Sequence, residues 1–253
     1  MPEAPATVTL GKVPEVTLLF WVIKICATTL GETGGDAVSM SMKLGYLVST
    51  GIFAVVFLVA VAAQIRARRF HPLLYWTTIV ATTTVGTTLA DFADRSLGIG
   101  YAGGSALLLL LLVASLALWY RSQGTVSFRS LASPRAELFY WVTIMCSQTL
   151  GTALGDWTAD TAGLGYTGGA ILFGSMLVLV AAAFAWTRLS RTALFWAAFI
   201  LTRPLGAVLG DFLDKPVQAG GLALSRYALS GGLVAFILVC ALLFHQRAAE
   251  ESH

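Results

Sequence analysis

TTLGETGGD, residues 28–36, lies inside an otherwise apolar run and joins three glycines to two carboxylates, Glu32 and Asp36. It is one of four copies. Aligned on the aromatic-tryptophan pairs Phe20-Trp21, Tyr75-Trp76, Tyr140-Trp141 and Phe195-Trp196, which are 55, 65 and 55 residues apart, the chain repeats it as TTVGTTLAD, QTLGTALGD and RPLGAVLGD. Ten residues after each tryptophan stands a glycine (Gly31, Gly86, Gly151, Gly206), and four further on a small residue (Gly35, Ala90, Gly155, Gly210). An aspartate follows at once (Asp36, Asp91, Asp156, Asp211). A Gly-Tyr pair recurs at a constant offset in three copies (Tyr46, Tyr101, Tyr166), where the fourth has Gly221. A repeat of this length is the signature of a stacked or pseudo-symmetric architecture.

The surroundings of the motif set the class. Of the 253 residues, 57% are hydrophobic and 11% charged, too little polar surface to clothe a water-soluble globule of this size. Leu44–Ile65, Ser96–Tyr120 and Gly163–Thr187 each run for more than twenty residues without a charge, the length a helix needs to cross about 30 Å of hydrocarbon. Each repeat is long enough for two spans: a motif helix, a short polar turn and a more uniformly apolar helix. The expected fold is therefore an all-α membrane protein of eight transmembrane helices, built as a single domain (1–253) from tandem repeats at 15–70, 71–125, 136–190 and 191–247. The polar stretch 121–136 reads as a linker between two four-helix halves. A two-span unit returns the chain to its starting side, so the four motif helices run parallel and their aspartates share one depth.

Arginines crowd the connections between repeats (Arg66, Arg68, Arg69, Arg121, Arg129, Arg135, Arg188, Arg191) and follow the last span (Arg247). The turns within repeats hold Lys43, Arg95, Lys215 and Arg226. The positive-inside rule then places both termini in the cytoplasm and the aspartates towards the outer half. The opening MPEAPATVTL lacks the basic and apolar regions of a cleavable signal and is expected to be retained. A formal charge of +3 gives no reason to expect nucleic acid, and Cys26, Cys146 and Cys240 read as buried thiols without zinc spacing or a redox role.

Glycine and a small residue four places on share a helix face and let backbones approach closely in lipid, which predicts the motif helices as an inner ring. Polar residues recur on one helical stripe: Thr29, Glu32, Asp36 and Ser39; Thr84, Thr87, Asp91 and Asp94; Thr149, Thr152, Asp156 and Ala159; Pro204, Ala207, Asp211 and Asp214. A charge at mid-span costs about 2.5–3.5 kcal/mol, so these carboxylates are expected to face inward. Converging acids repel unless they hold protons or a cation, and hard oxygens from Asp, Glu and Thr suit a divalent ion such as Mg²⁺, Mn²⁺ or Ca²⁺. Met145 offers a softer ligand but more simply packs.

Two bases break the repeat: Lys24, two turns before Glu32, and Arg203, one turn before Ala207. Each is a candidate counter-charge or gate, with snorkelling as the plain alternative for Lys24. Pro204 is expected to kink the fourth motif helix and free a carbonyl. Asp160 and Asp214, near the turns, rank below the repeated acids.

The repeated motif, the paired aromatics and the Leu-Gly-Tyr turns resemble, over nearly the whole chain, a bacterial family of small polytopic membrane-anchored proteins. The resemblance implies an inner-membrane location and carries no activity with it. From the residues, the leading expectation is a cation transporter or channel coupling a divalent metal to protons, with Glu32, Asp36, Asp91, Asp156 and Asp211 as ligands or proton carriers. Lys24, Thr29, Thr84, Thr87, Asp94, Thr149, Thr152, Arg203 and Asp214 would support or gate it. The partners are then the bilayer, an inorganic cation and protons, with no cofactor. The competing expectations are a structural or assembly protein whose acids pair with Lys24 and Arg203, and an intramembrane enzyme. The last is disfavoured because the histidines (His71, His245, His253) lie near loops or the C-terminus and no serine-histidine or zinc-protease pattern appears.

Overall fold

The structure is a computed structural model that describes residues 12–67, 69–128, 131, 133–244 and 246–249. The basic residues Arg68 and Arg129, the histidines His245 and His253, and the opening MPEAPATVTL lie outside the described residues.

Within them the chain forms eight α-helices: α1 (Leu18–Asp36), α2 (Tyr46–Arg66), α3 (Pro72–Asp91), α4 (Tyr101–Gln123), α5 (Pro134–Asp156), α6 (Gly165–Trp186), α7 (Arg191–Asp214) and α8 (Arg226–Leu243). Local chemistry starts them in register. The side chains of Thr17, Ser133, Ser190 and Ser225 accept N–H bonds at the starts of α1, α5, α7 and α8, and Pro72 and Pro134 occupy first-turn positions where a missing N–H costs nothing. After each of the first three motif aspartates the helix widens into a π turn (Ala37–Ser41, Phe92–Ser96, Trp157–Thr161). The reversal into the next helix needs a left-handed residue, supplied by Gly98 and Gly163 in two copies and by Lys43 (φ 58°) in the first.

The odd-numbered motif helices close a ring in the order α1, α3, α5, α7 and back to α1. Each even-numbered helix packs outside the next motif helix: α2 on α3, α4 on α5, α6 on α7, and α8 back on α1. Only 11% of the most apolar stretch of α6 is buried within the protein, against 72% for α7, which separates outer from inner layer. The outer helices turn Val55, Leu58, Leu110, Ile171, Leu179 and Leu242 to the surroundings, while Glu32, Asp36, Lys24 and Arg203 are enclosed. This inverts the usual soluble distribution.

The sequence predicts eight spans; by length and composition five helices, α2, α4, α6, α7 and α8, are apolar enough to cross a membrane. The reason α1, α3 and α5 fall outside that set is visible in their buried residues, which are largely Thr, Gly and carboxylates. They are shielded by neighbours rather than by their own side chains.

The glycines fit the ring as predicted, and more specifically than a general small-residue face. A Cβ on Gly31 would lie 2.3 Å from Thr83 Oγ1, on Gly86 2.9 Å from the Gln148 carbonyl carbon, on Gly151 2.3 Å from Arg203 Cγ, and on Gly206 2.2 Å from Thr28 Oγ1. Each motif glycine thus receives the residue at the start of the next repeat's motif, and the fourth receives the first. The same head-to-tail contact made four times closes the circle.

At the end opposite the aspartates, the aromatic pairs form one cluster. The Tyr75 and Tyr140 hydroxyls meet at 2.9 Å, Trp119 packs edge-on against Tyr140 and Trp196, and Phe128 of the linker stacks on Phe195 at 4.0 Å. The terminal segments join there: Glu15 N–H donates to Arg247 O and Ala249 N–H to Val13 O, and Lys12 Nζ reaches Glu137 Oε1 at 2.5 Å.

Candidate ion site: a carboxylate layer within the ring

The ring interior is built in levels, each contributed by equivalent positions of α1, α3, α5 and α7. Nearest the aromatic end, Lys24, Ile79, Ile144 and Phe199 are all completely buried. Lys24 Nζ sits 4.1 Å from the Phe199 ring and has no hydrogen-bond acceptor among the described residues. Among the described residues Lys24 pairs with no carboxylate, against the expected counter-charge, and being fully enclosed it does not snorkel.

One turn on, Arg203 passes across Gly151 and brings its guanidinium to the axis. Its Nη2 lies 3.1 Å from Glu32 Oε2 and 2.5 Å from both Thr87 Oγ1 and Thr152 Oγ1, so three different helices grip one charge. Pro204 lies inside α7, whose helical assignment continues from Arg191 to Asp214; having no N–H, it leaves the carbonyl of Ile200 without its intrahelical donor, and its ring fills the space beside Gly151. The predicted oxygen stripe also divides. Thr87 and Thr152 meet the axis, whereas Thr84 and Thr149 donate back to Val80 O and Met145 O of their own helices; Thr29, buried against α7, makes no side-chain contact to the acids.

The next level holds the four repeated aspartates, and they converge. Carboxylate oxygens of Glu32, Asp156 and Asp211 lie within 4.8 Å of one another, as do those of Glu32, Asp36 and Asp91 and those of Asp36, Asp211 and Asp214. Three oxygens at that separation or closer admit a central ion within about 2.8 Å of each, near the 2.3–2.6 Å of Ca²⁺ and wide for Mg²⁺ without contraction. Asp214, ranked below the repeated acids because it lies near a turn, belongs to this layer, its side chain buried. Asp94 packs its carboxylate against Gly104 instead, and Asp160 is exposed.

Three bases that read as turn residues complete the layer, and the expectation that only Lys24 and Arg203 balance the acids is thereby corrected. Arg95 pairs with Asp91 (3.0 Å) and Asp156 (3.4 Å), Lys215 with Asp36 (2.5 Å) and Asp211 (3.0 Å), and Arg226 with Asp214 (2.5 Å) and Asp36 (3.4 Å). Counting Arg203 with Glu32, six carboxylates share four bases, and Asp36 Oδ1 is buried with no hydrogen bond. The tyrosines of the Gly-Tyr turns, Tyr46, Tyr101 and Tyr166, stand in the first turns of α2, α4 and α6, the helices that follow the motif aspartates. A signal for two of the bases was present in the sequence: Arg95 and Lys215 each follow a motif aspartate by four residues, one helical turn.

Fold and site together define an all-helical protein of four tandem two-helix units whose equivalent helices enclose a shared acidic layer. The chain belongs to the family described as a Repeat of Unknown Function (DUF347), which matches it four times, at residues 19–70, 74–125, 139–191 and 194–249. Neither the curated proteins nor the solved structures contain a match.

Proposed function

We propose that the protein is an integral membrane transporter or channel for a divalent cation of the Mn²⁺ or Mg²⁺ class, coupled to protons through the carboxylate layer. One observation carries the reading: six acidic side chains from four separate helices meet in one enclosed layer, inside a bundle whose outer surface is apolar. Such an arrangement is costly in a membrane and is retained where ions or protons pass. The exposed aliphatic belt on α2, α4, α6 and α8 supports eight membrane-embedded helices, with the three polar motif helices screened by the other five. Following the arginine distribution and the resemblance to a bacterial family, the aromatic end and both termini face the cytoplasm of a bacterial inner membrane and the aspartates face outward.

The donor set is oxygen throughout, which suits a hard cation. The layer carries two more acids than bases, a residual charge that one divalent ion or two protons would neutralise. Ion and proton therefore compete for the same oxygens, and ion binding should weaken as pH falls. Arg203, fixed by Glu32, Thr87 and Thr152, forms the floor of the layer and separates it from the level of Lys24, Ile79, Ile144 and Phe199.

In proteoliposomes, Asp91→Asn and Asp156→Asn should abolish Mn²⁺-dependent flux while the purified variants keep their unfolding transitions. Wild-type flux in folded variants would remove the assigned site. A structural reading, in which the acids only hold helices together, is favoured by the presence of a base beside each motif aspartate. Thermal unfolding separates the two: an ion site adds about 2.7 kcal/mol of stability at a hundredfold excess over Kd and so raises the melting temperature with a preference among metals, whereas a purely paired core does not respond.

A further inference from the structure

We propose that Arg95 and Lys215 are tethered cations that compete with an ion for the aspartates of the layer and withdraw when it binds. This rests on the reading of the layer as an ion site. The two residues occupy one register position, nineteen residues after the tryptophans Trp76 and Trp196, where the first and third repeats have Met40 and Asp160. Each pairs with the aspartate one turn before it and reaches forward to the aspartate of the next repeat: Arg95 joins Asp91 to Asp156, and Lys215 joins Asp211 to Asp36. The four repeated aspartates are thus joined in two pairs, Asp91–Asp156 by Arg95 and Asp211–Asp36 by Lys215, with Arg226 a second base at Asp36.

The geometry fits a displaceable occupant. The acids are enclosed, with side chains 1–5% exposed, whereas Arg95 is 31% and Lys215 11% exposed, so both bases lie nearer the surface than the acids they hold. Their grip is incomplete: Asp91 Oδ1 and Asp211 Oδ1 each lie 3.0 Å from a base without a hydrogen bond, and Asp36 Oδ1, buried, has no hydrogen bond at all. Arg203 differs in having no exposure and in being bonded through Nη2 to three helices, although its Nε and Nη1 have no hydrogen bond. At Lys215 the backbone is pinned, since its carbonyl accepts the Ala223 N–H at 2.9 Å and Gly221 is packed against it. Withdrawal is therefore a side-chain motion. A long flexible amine on a fixed backbone is suited to it.

The test is Mn²⁺ binding to the purified full chain in detergent by titration calorimetry. Arg95→Gln and Lys215→Gln should each tighten binding about tenfold, because a competing unit charge has left the oxygens. Lys215→Arg should keep wild-type affinity, and Lys43→Gln, on an exposed turn away from the layer, should change nothing. Unchanged or weaker binding in the folded glutamine variants, with binding intact in the wild type, overturns the competition while leaving the ion site standing. No binding in any form overturns both. A measurement on the wild type guards against variants that do not fold: acylation of Lys215 by an amine-reactive reagent, followed by mass spectrometry, should rise at saturating Mn²⁺ relative to Lys43. Protection of Lys215 that is the same with and without Mn²⁺ rules the withdrawal out.

Discussion

The two ends of the inner ring are made from the same four helices yet are held together by opposite means. At the aromatic end, Tyr75, Trp76, Tyr140, Trp141, Phe195 and Trp196 fill the axis with rings at centroid distances of 5–6 Å, and the linker and both terminal segments close over them. At the carboxylate end the aspartates are as regular as the aromatics, but they repel, and order comes from bases that do not follow the four-fold pattern. Packing tolerates symmetry because apolar contacts add without sign. Charge does not, since four equal acids in one layer need unequal partners. Arg203, its register neighbours being Thr28, Thr83 and Gln148, marks the boundary between the two regimes.

That boundary offers the sharpest way to break the contrast. Arg203→Met leaves Glu32 buried beside Thr87 and Thr152 with no counter-charge, and loss of one partner of a buried pair costs about 3–5 kcal/mol. Chemical unfolding in detergent should show a loss of that size, and a stability within 1 kcal/mol or so of wild type would mean that the charge is not needed to hold the helices.

The ring contacts come next. Gly206→Ala drives a methyl into Thr28 and should cost about 1–3 kcal/mol. Gly174→Ala on the outer helix α6, where nothing lies within 4 Å, should be neutral or stabilising by up to about 1 kcal/mol. Equal effects at the two glycines would deny the distinction between inner and outer layers.

Tyr75→Phe removes the hydroxyl pair at the aromatic end and should cost about 1 kcal/mol while leaving Mn²⁺ affinity untouched. A change in affinity would show the two ends to be coupled. The smallest effect belongs to the turns: Lys43→Gly relieves a left-handed residue where the second and third repeats already have glycine, and should stabilise by about 1 kcal/mol or less.

Much of this could be read in advance because it depends on period alone. The spacing of the motif glycines and aspartates implies parallel equivalent helices, and a carboxylate within an apolar run must turn inward whatever the neighbours are. Glu32, Asp36, Asp91, Asp156 and Asp211 accordingly meet where expected. Thr29, Thr84 and Thr149 share the same stripe but lie on the side turned to an adjacent helix, and a stripe about 100° wide does not distinguish that side from the axis. Lys24 was ambiguous for a similar reason: a lysine near a helix end snorkels if its path to water is open, and here the path is closed by Phe199 and the aromatic cluster. Arg95, Lys215 and Arg226 read as turn residues because composition does not say which way a long side chain folds back.

By itself, the sequence determined the four-fold repetition, the common depth of the aspartates and the close approach at the glycines, since each follows from residue spacing on a helix of fixed geometry. Only the tertiary structure decided which bases answer those acids, that Arg203 is held by Glu32, Thr87 and Thr152, and that the fourth repeat docks on the first. The reason is physical: charge partnership depends on distances between separate helices and on the direction of flexible side chains, and neither is encoded in the period of a single strand of sequence.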